Sequence, residues 1–288
     1  MKVLANALAV VLLSACTAAH RVPPTHTLQL PFGGRTVLPG HRVVAYYGAA
    51  QTPDMGILGR AAPTRIAPRL LQQARAYAPY GESVVPAFEL IATVAQSDPG
   101  ADGTYSASTD TAIIVRYLTA VRRIHGLLIL DVQPGRASFL TEVRRYETFL
   151  KEPDVSLALD SEWSMGSHEV PARVIGGTTG RRVNGVSAYL SALIRRYDLP
   201  QKLLIVHQFT PDMVEHREQI IQRPGIALVF HIDGFGTRAG KLSKYRLLSQ
   251  NRGAAFMGLK LFYRQDVDLL SPADVMRLHP PPDLVTYQ

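Results

Sequence analysis

Asp160-Ser161-Glu162-Trp163 sets two carboxylates two positions apart, followed by the chain's single tryptophan. On a strand, residues two apart share a face and stand about 6.5 Å from each other. Carboxylates that close repel, so one keeps its proton to higher pH. A protonated carboxyl is a general acid, and its ionised partner serves as base, nucleophile or stabiliser of positive charge. Glu162 is therefore the candidate acid/base and Asp160 the group that tunes it. Asp131 or Glu89 is the candidate second carboxylate. Trp163 either offers a flat face to a sugar ring or packs beneath a loop.

Other polar residues close apolar runs in the same way. Tyr47, Glu89, Asp131 with Gln133, His207 with Gln208, His231 with Asp233, and Lys260 each stand at or near the end of one. Burying that many ionisable groups in a core is costly, so a polar mouth above an apolar interior is the economical arrangement. Tyr47, Glu89, Trp163, His207, Gln208, His231, Asp233 and Lys260 are the expected substrate contacts. Glu89, Asp131, Asp160, His207 and Asp233 could ring a divalent metal, but a hydrogen-bonded polar layer is preferred, and neither metal nor cofactor is expected. Lys260 could form an imine, although an ion pair with Asp233 or Glu89 is the simpler reading. No G-x-S-x-G elbow supports serine hydrolysis. Gly176-Gly177-Thr178-Thr179-Gly180 lacks the lysine of a phosphate loop and reads as a mobile loop over the mouth. Gly234-Phe235-Gly236 allows a loop to approach a ligand closely.

Eight short β-rich runs must position these groups: 42–47, 84–91, 126–131, 155–160, 202–207, 226–231, 255–262 and 283–287. Parity along the fourth puts Ala158, Asp160 and Glu162 on one face and Leu157, Leu159 and Ser161 on the other. Helical patterns separate the runs, over 68–78, 111–125, 138–150, 184–198, 211–222, 241–250 and 271–278. Ser138, Asn184 and Ser271 are placed to cap three of them, with Pro272 at a first helical position. Near-continuous apolar strands require both sheet faces to be covered, hence a parallel sheet. Eight β-α units over about 250 residues fit a single (β/α)8 barrel of the TIM type spanning 28–288, its last strand without a following helix. An open doubly wound sheet is the alternative. The segment 28–38 suggests a hairpin turning on Gly33-Gly34 that plugs the barrel bottom.

The chain has 288 residues, 47% of them hydrophobic and 19% charged, which is a globular composition with ample core. Its formal charge is +8. Most basic residues fall in helical stretches, either as solvated faces or as attraction to anionic lipid or wall polymer. No Lys/Arg block interleaved with aromatics suggests a nucleic-acid partner. At the start, Lys2, an apolar run from Val3 to Leu13, and Leu13-Ser14-Ala15-Cys16 read as a leader too short to span a bilayer. Residues 17–27 read as a tether. Cys16 is the single cysteine, so the mature fold has no disulfide and no thiolate metal site.

Leu13-Ser14-Ala15-Cys16 resembles the bacterial lipobox. That resemblance implies cleavage before Cys16, diacylglycerol on its thiol, and anchoring to the extracytoplasmic face of the cell membrane. Asp160-x-Glu162 at the end of a fourth barrel strand resembles the catalytic motif of chitinase-type glycoside hydrolases and of barrel-fold muramidases. In both, the residue matching Glu162 is the implied proton donor and Asp160 matches the preceding Asp. The longer chitinase run has two further Asp residues before the matching Asp; this chain has Val155 and Leu157 nearby instead, and its Asp154 falls too early. Leu159-Asp160-Ser161-Glu162-Trp163 and Val206-His207-Gln208-Phe209 also resemble phrases of an uncharacterised bacterial lipoprotein family. These readings imply a cell-envelope glycoside hydrolase acting on a surface polysaccharide or wall glycan. A non-catalytic barrel that binds glycan or protein is the alternative, and a metal-dependent phosphodiesterase is third.

Overall fold

The computed structural model describes residues 27–288. The leader, the lipidation of Cys16 and the tether up to residue 26 lie outside the described residues. The eight apolar runs all form strands: β1 His41–Gly48, β2 Ser83–Ala95, β3 Leu127–Val132, β4 Val155–Leu159, β5 Lys202–Gln208, β6 Ile226–Ile232, β7 Phe256–Leu261 and β8 Leu284–Tyr287. Each pairs in parallel with the next, and β8 returns to β1, which also pairs with β2. The sheet is therefore a closed (β/α)8-type barrel. The open alternative fails because β1 has a strand partner on each side.

The helices are α1 Pro63–Arg75, α2 Thr111–Arg122, α3 Phe139–Arg145, α4 Glu147–Leu150, α5 Gly180–Arg196, α6 Arg238–Leu248 and α7 Pro272–Met276. Their apolar stripes meet the outward residues of the strands, among them Leu128, Leu157, Leu204 and Val285, in one continuous outer core. Ser138 caps α3 by accepting from Thr141 N, and Ser271 closes a capping box with Asp274 on α7. Three expectations need correction. α1 begins five residues earlier than expected, at Pro63, whose fixed φ suits a first helical position; Pro68 lies inside it. α5 is capped by Thr179, whose Oγ1 accepts from Arg182 N, so Asn184 lies within the helix. The segment 211–222 is not a helix but two 3-10 turns around a two-residue strand, Val214–Glu215. Here strand pairing with Thr178–Thr179 and a left-handed His216 (φ 53°) compete against helix propagation.

The barrel interior has a core of its own. Val43, Ala45, Val85, Ala87, Ile129 and their neighbours fill its N-terminal half. Leu30, Val37 and Leu38 close it from below, so the 28–38 segment does plug the bottom. It does so as a turn, with Leu30 N donating to Gly34 O and Gly33 N to Leu30 O, and not as a strand-paired hairpin. Gln201 fixes it by accepting from Val37 N and Leu38 N and donating to Leu38 O. No helix among the described residues is long and apolar enough to cross a membrane.

Candidate active site

Two residues beyond the apolar layer, every strand turns polar on the same inward face. Ala45 gives way to Tyr47, Ala87 to Glu89, Ile129 to Asp131, Ala158 to Asp160, Ile205 to His207, Val229 to His231, Gly258 to Lys260 and Leu284 to Thr286. All eight polar residues of this layer are buried. The parity argument thus holds around the barrel. Gly258 is needed where it stands, because a Cβ there would lie 2.5 Å from Nδ1 of His231.

His207 is the hub. Nδ1 donates to Asp233 Oδ2 at 3.0 Å and Nε2 to Glu89 Oε1 at 2.8 Å, which requires the doubly protonated ring. Asp160 Oδ1 stands 3.7 Å from Nδ1. Burial opposes charge on this ring, but Asp160, Asp233 and Glu89 together raise its pKa well above the ordinary value. Burial likewise pushes Glu89 up, and the hydrogen bond and charge of His207 outweigh it, holding the carboxyl at about 2. Thr286 Oγ1 donates to the other Glu89 oxygen at 2.8 Å. Asp233 is also held ionised: burial raises it, and the ammonium of Lys260 at 3.1 Å and the His207 bond bring it well below the usual range. Lys260 lies 3.4 Å from the Tyr47 ring centroid, and its carboxylate neighbours outweigh burial to keep it an ammonium. That charge removes it as an imine-forming nucleophile.

The other carboxyls behave oppositely. Burial and then the charge of Asp160 raise Asp131 to about 8. Tyr47 Oη donates to Asp131 Oδ2 at 2.8 Å, and Gln133 Nε2 to Asp160 Oδ2 at 3.1 Å. Asp160 is raised by burial, with His207 and Lys260 pulling against it. In the same layer His231 stacks on its register neighbour His207, ring centroids 5.0 Å apart. Burial lowers its pKa to about 3, so it is neutral at pH 7, and neither ring nitrogen has a hydrogen-bond partner.

Above the layer lies a cavity of ≈ 440 Å³, within the range that holds small ligands. Glu162, Asp233, Lys260, Gln133 and Tyr47 reach it from the barrel, while Trp163, Phe209, Phe235 and Phe262 supply aromatic walls. Asp160 and Asp131 lie below it. Glu162 enters by a route other than parity. β4 ends at Leu159, and Ser161–Trp163 is a 3-10 turn, so the strand does not carry the acid inward. Gly176 locks that turn, its N–H donating to Glu162 O at 2.7 Å; a Cβ there would meet Ser164 O at 2.5 Å. The glycine loop expected to move freely over the mouth is hydrogen-bonded to the turn, and its Thr178–Thr179 pairs with Val214–Glu215. Burial, then Asp160 and Asp233, raise Glu162 to about 8.

Four expected substrate contacts do not line this cavity: Glu89, His207 and His231 are buried in the layer beneath it, and Gln208 points elsewhere. Gln208 alternates outward from His207, donating to Thr210 O and accepting from Arg217, away from the mouth. Gln133, visible at a strand end but not assigned a role, joins the cavity wall. Thr286, not among the expected site residues, completes the layer; its signal is its position two residues past Leu284. Ligand atoms of Asp160, His207 and Asp233 lie within 4.8 Å of one another, close enough for a metal. Both nitrogens of His207 are committed to carboxylates, however, and Lys260 already neutralises Asp233. The cluster supplies its own cations. Comparison with known protein families, curated proteins and solved structures finds no match to this chain.

Proposed function

We propose that the barrel is a glycoside hydrolase of the cell envelope, with Glu162 as general acid/base. One observation carries this reading. Two carboxyls that face one aromatic-walled cavity have environments that push their pKa values apart, Glu162 to about 8 and Asp233 well below the carboxylate range. Such a split divides the acid and base roles between two carboxyls. Glu162 protonates the glycosidic oxygen, and the bond from that oxygen to the anomeric carbon breaks. Asp233, with Asp160 beneath it, opposes the positive charge that develops on the sugar. Glu162, now a carboxylate, takes a proton from the water that adds to the anomeric carbon, which restores the acid. Asp131, protonated at neutral pH, is a structural member of the layer under this reading, and Glu89 fixes His207. Trp163 and Phe235 form the platform for the sugar, and Lys260 and Gln133 contact its hydroxyls. The envelope location rests on the leader and Cys16.

The test is release of reducing ends from wall glycans and surface polysaccharides by the full chain. Glu162→Gln is expected to lower turnover by about 10³-fold, with the melting temperature no lower than wild type. No release by wild type from any such glycan, with binding retained, would favour the non-catalytic barrel. Activity that a chelator abolishes and a divalent metal restores would favour the phosphodiesterase.

A further inference from the structure

The rim that carries Glu162 holds a second concavity, of ≈ 580 Å³, on the outer side of the β4 turn. Arg136, Arg181 and Arg182 line it, and no acidic side chain does. Arg136 is held in place, its Nε donating to Glu169 O at 2.7 Å and its guanidinium 4.1 Å from the Tyr105 ring centroid. Its terminal amino groups have no partner among the described residues. Arg181 and Arg182 occupy the first turn of the 17-residue α5, and neither guanidinium has a hydrogen bond or ion pair there. A helix N-terminus adds partial positive charge and free N–H groups at the same point. Three guanidiniums around one hollow make its potential positive, which favours an entering anion.

The neighbouring surface is polar as well but belongs to a separate hollow. Thr178 Oγ1 is buried without a hydrogen-bond partner, one residue before the α5 cap. It lines a smaller hollow that meets the arginine hollow at Ser164, Thr179 and Arg182. Glu169, Asp212 and Glu215 lie on that smaller side, and Glu169 is already engaged by Gly166 N at 2.6 Å. The unopposed positive charge therefore faces the arginine hollow.

The two cavities are lined by consecutive residues of one segment. Glu162 and Trp163 line the mouth, and the next two residues, Ser164 and Met165, line the arginine hollow. Along this rim the hollow lined by Ser164 and Met165 is the next one after Trp163. We propose that Arg136, Arg181 and Arg182 form a subsite for an anionic group, a phosphodiester or a uronic carboxylate, on the glycan that the barrel binds. The glycan identity rests on the hydrolase reading, whereas capture of the anion does not.

Binding to full-chain Glu162→Gln protein in detergent, measured by titration calorimetry, separates these points. The probes are a galacturonate hexamer, its neutral methyl ester, a phosphodiester-linked oligosaccharide, and phosphatidylglycerol vesicles. At least one anionic oligosaccharide is expected to bind about tenfold more tightly than the methyl ester. The preference should weaken with salt and vanish in the Arg181→Ala/Arg182→Ala variant, and the tighter of the two anions names the source of charge. Equal binding of charged and neutral oligosaccharides would overturn the proposal, as would a preference that survives loss of both arginines. So would loss of vesicle binding alone in the arginine variant. An anion preference without cleavage by wild type would leave the subsite standing and remove the hydrolase reading.

Discussion

The two halves of the barrel interior are built from the same eight strands and differ by two residues. In the lower half, Ala45, Ile129, Ala158, Ile205 and Val229 make an apolar plug with Leu30, Val37 and Leu38. In the upper half, Tyr47, Asp131, Asp160, His207 and His231 occupy the next inward positions and are equally buried. Burial does opposite things in the two places. Below, removing apolar surface from water contributes about 1.5–3 kcal/mol for a large side chain. Above, it disfavours every charge, and the network offsets this only in part: Glu89, Asp233, His207 and Lys260 satisfy each other, while Asp131 and Glu162 are left holding protons near neutral pH. The lower half is apolar packing, and the upper half keeps carboxyls protonated near neutral pH.

The contrast predicts opposite signs for truncation and neutralisation in the two halves. Ile205→Ala is expected to cost about 2–5 kcal/mol of stability in urea unfolding followed by Trp163 fluorescence, without shifting the pH dependence of turnover. A shifted pH profile would mean that the layers are not separable. Asp131→Asn should do the reverse. Its folded pKa is raised to about 8 from 3.8, so the proton it binds on folding stabilises fully below the unfolded value, and this contribution is lost as pH rises towards 8. The asparagine variant should therefore melt a few degrees above wild type at pH 7, and the gain should disappear by about pH 4. A lower melting temperature at pH 7 would mean that Asp131 is an ionised, paired group. The smallest effect is expected at Gln208→Ala. Its side chain belongs to the loop after β5, so KM should change by less than about twofold; a large rise would return it to the substrate site.

Much of this was legible because a strand's period is two. Once Ala87-x-Glu89, Ala158-x-Asp160 and Ile205-x-His207 are read as inward pairs, the polar layer follows from the sequence alone. Gln208 adjoins His207 in sequence, but parity turns it to the other face. Glu162 came to the correct place for another reason. Parity assumed the strand ran on through Trp163, and nothing in Asp160-Ser161-Glu162-Trp163 reveals that the chain coils there under Gly176, a partner fourteen positions on. The segment 211–222 failed for the same cause: its pairing with Thr178–Thr179 is a long-range contact that outweighs a weak helical period. Thr286 carries little signal of its own: a threonine in a strand is ordinary until Glu89 stands beside it. Local pattern carries elements and faces, whereas turns made by distant chain segments need the fold.

The most direct test of the division between the halves is the titration of Glu162 itself. Carbon-13 NMR of protein labelled at the glutamate side-chain carboxyls, with the Glu162 signal assigned by its loss in Glu162→Gln, reads the proton without any substrate. A midpoint at about 8 for Glu162 and about 2 for Glu89 is the expected result. A Glu162 midpoint near the ordinary 4.5 would contradict it, since the mouth would then hold no carboxylic acid at neutral pH and no stored proton for catalysis.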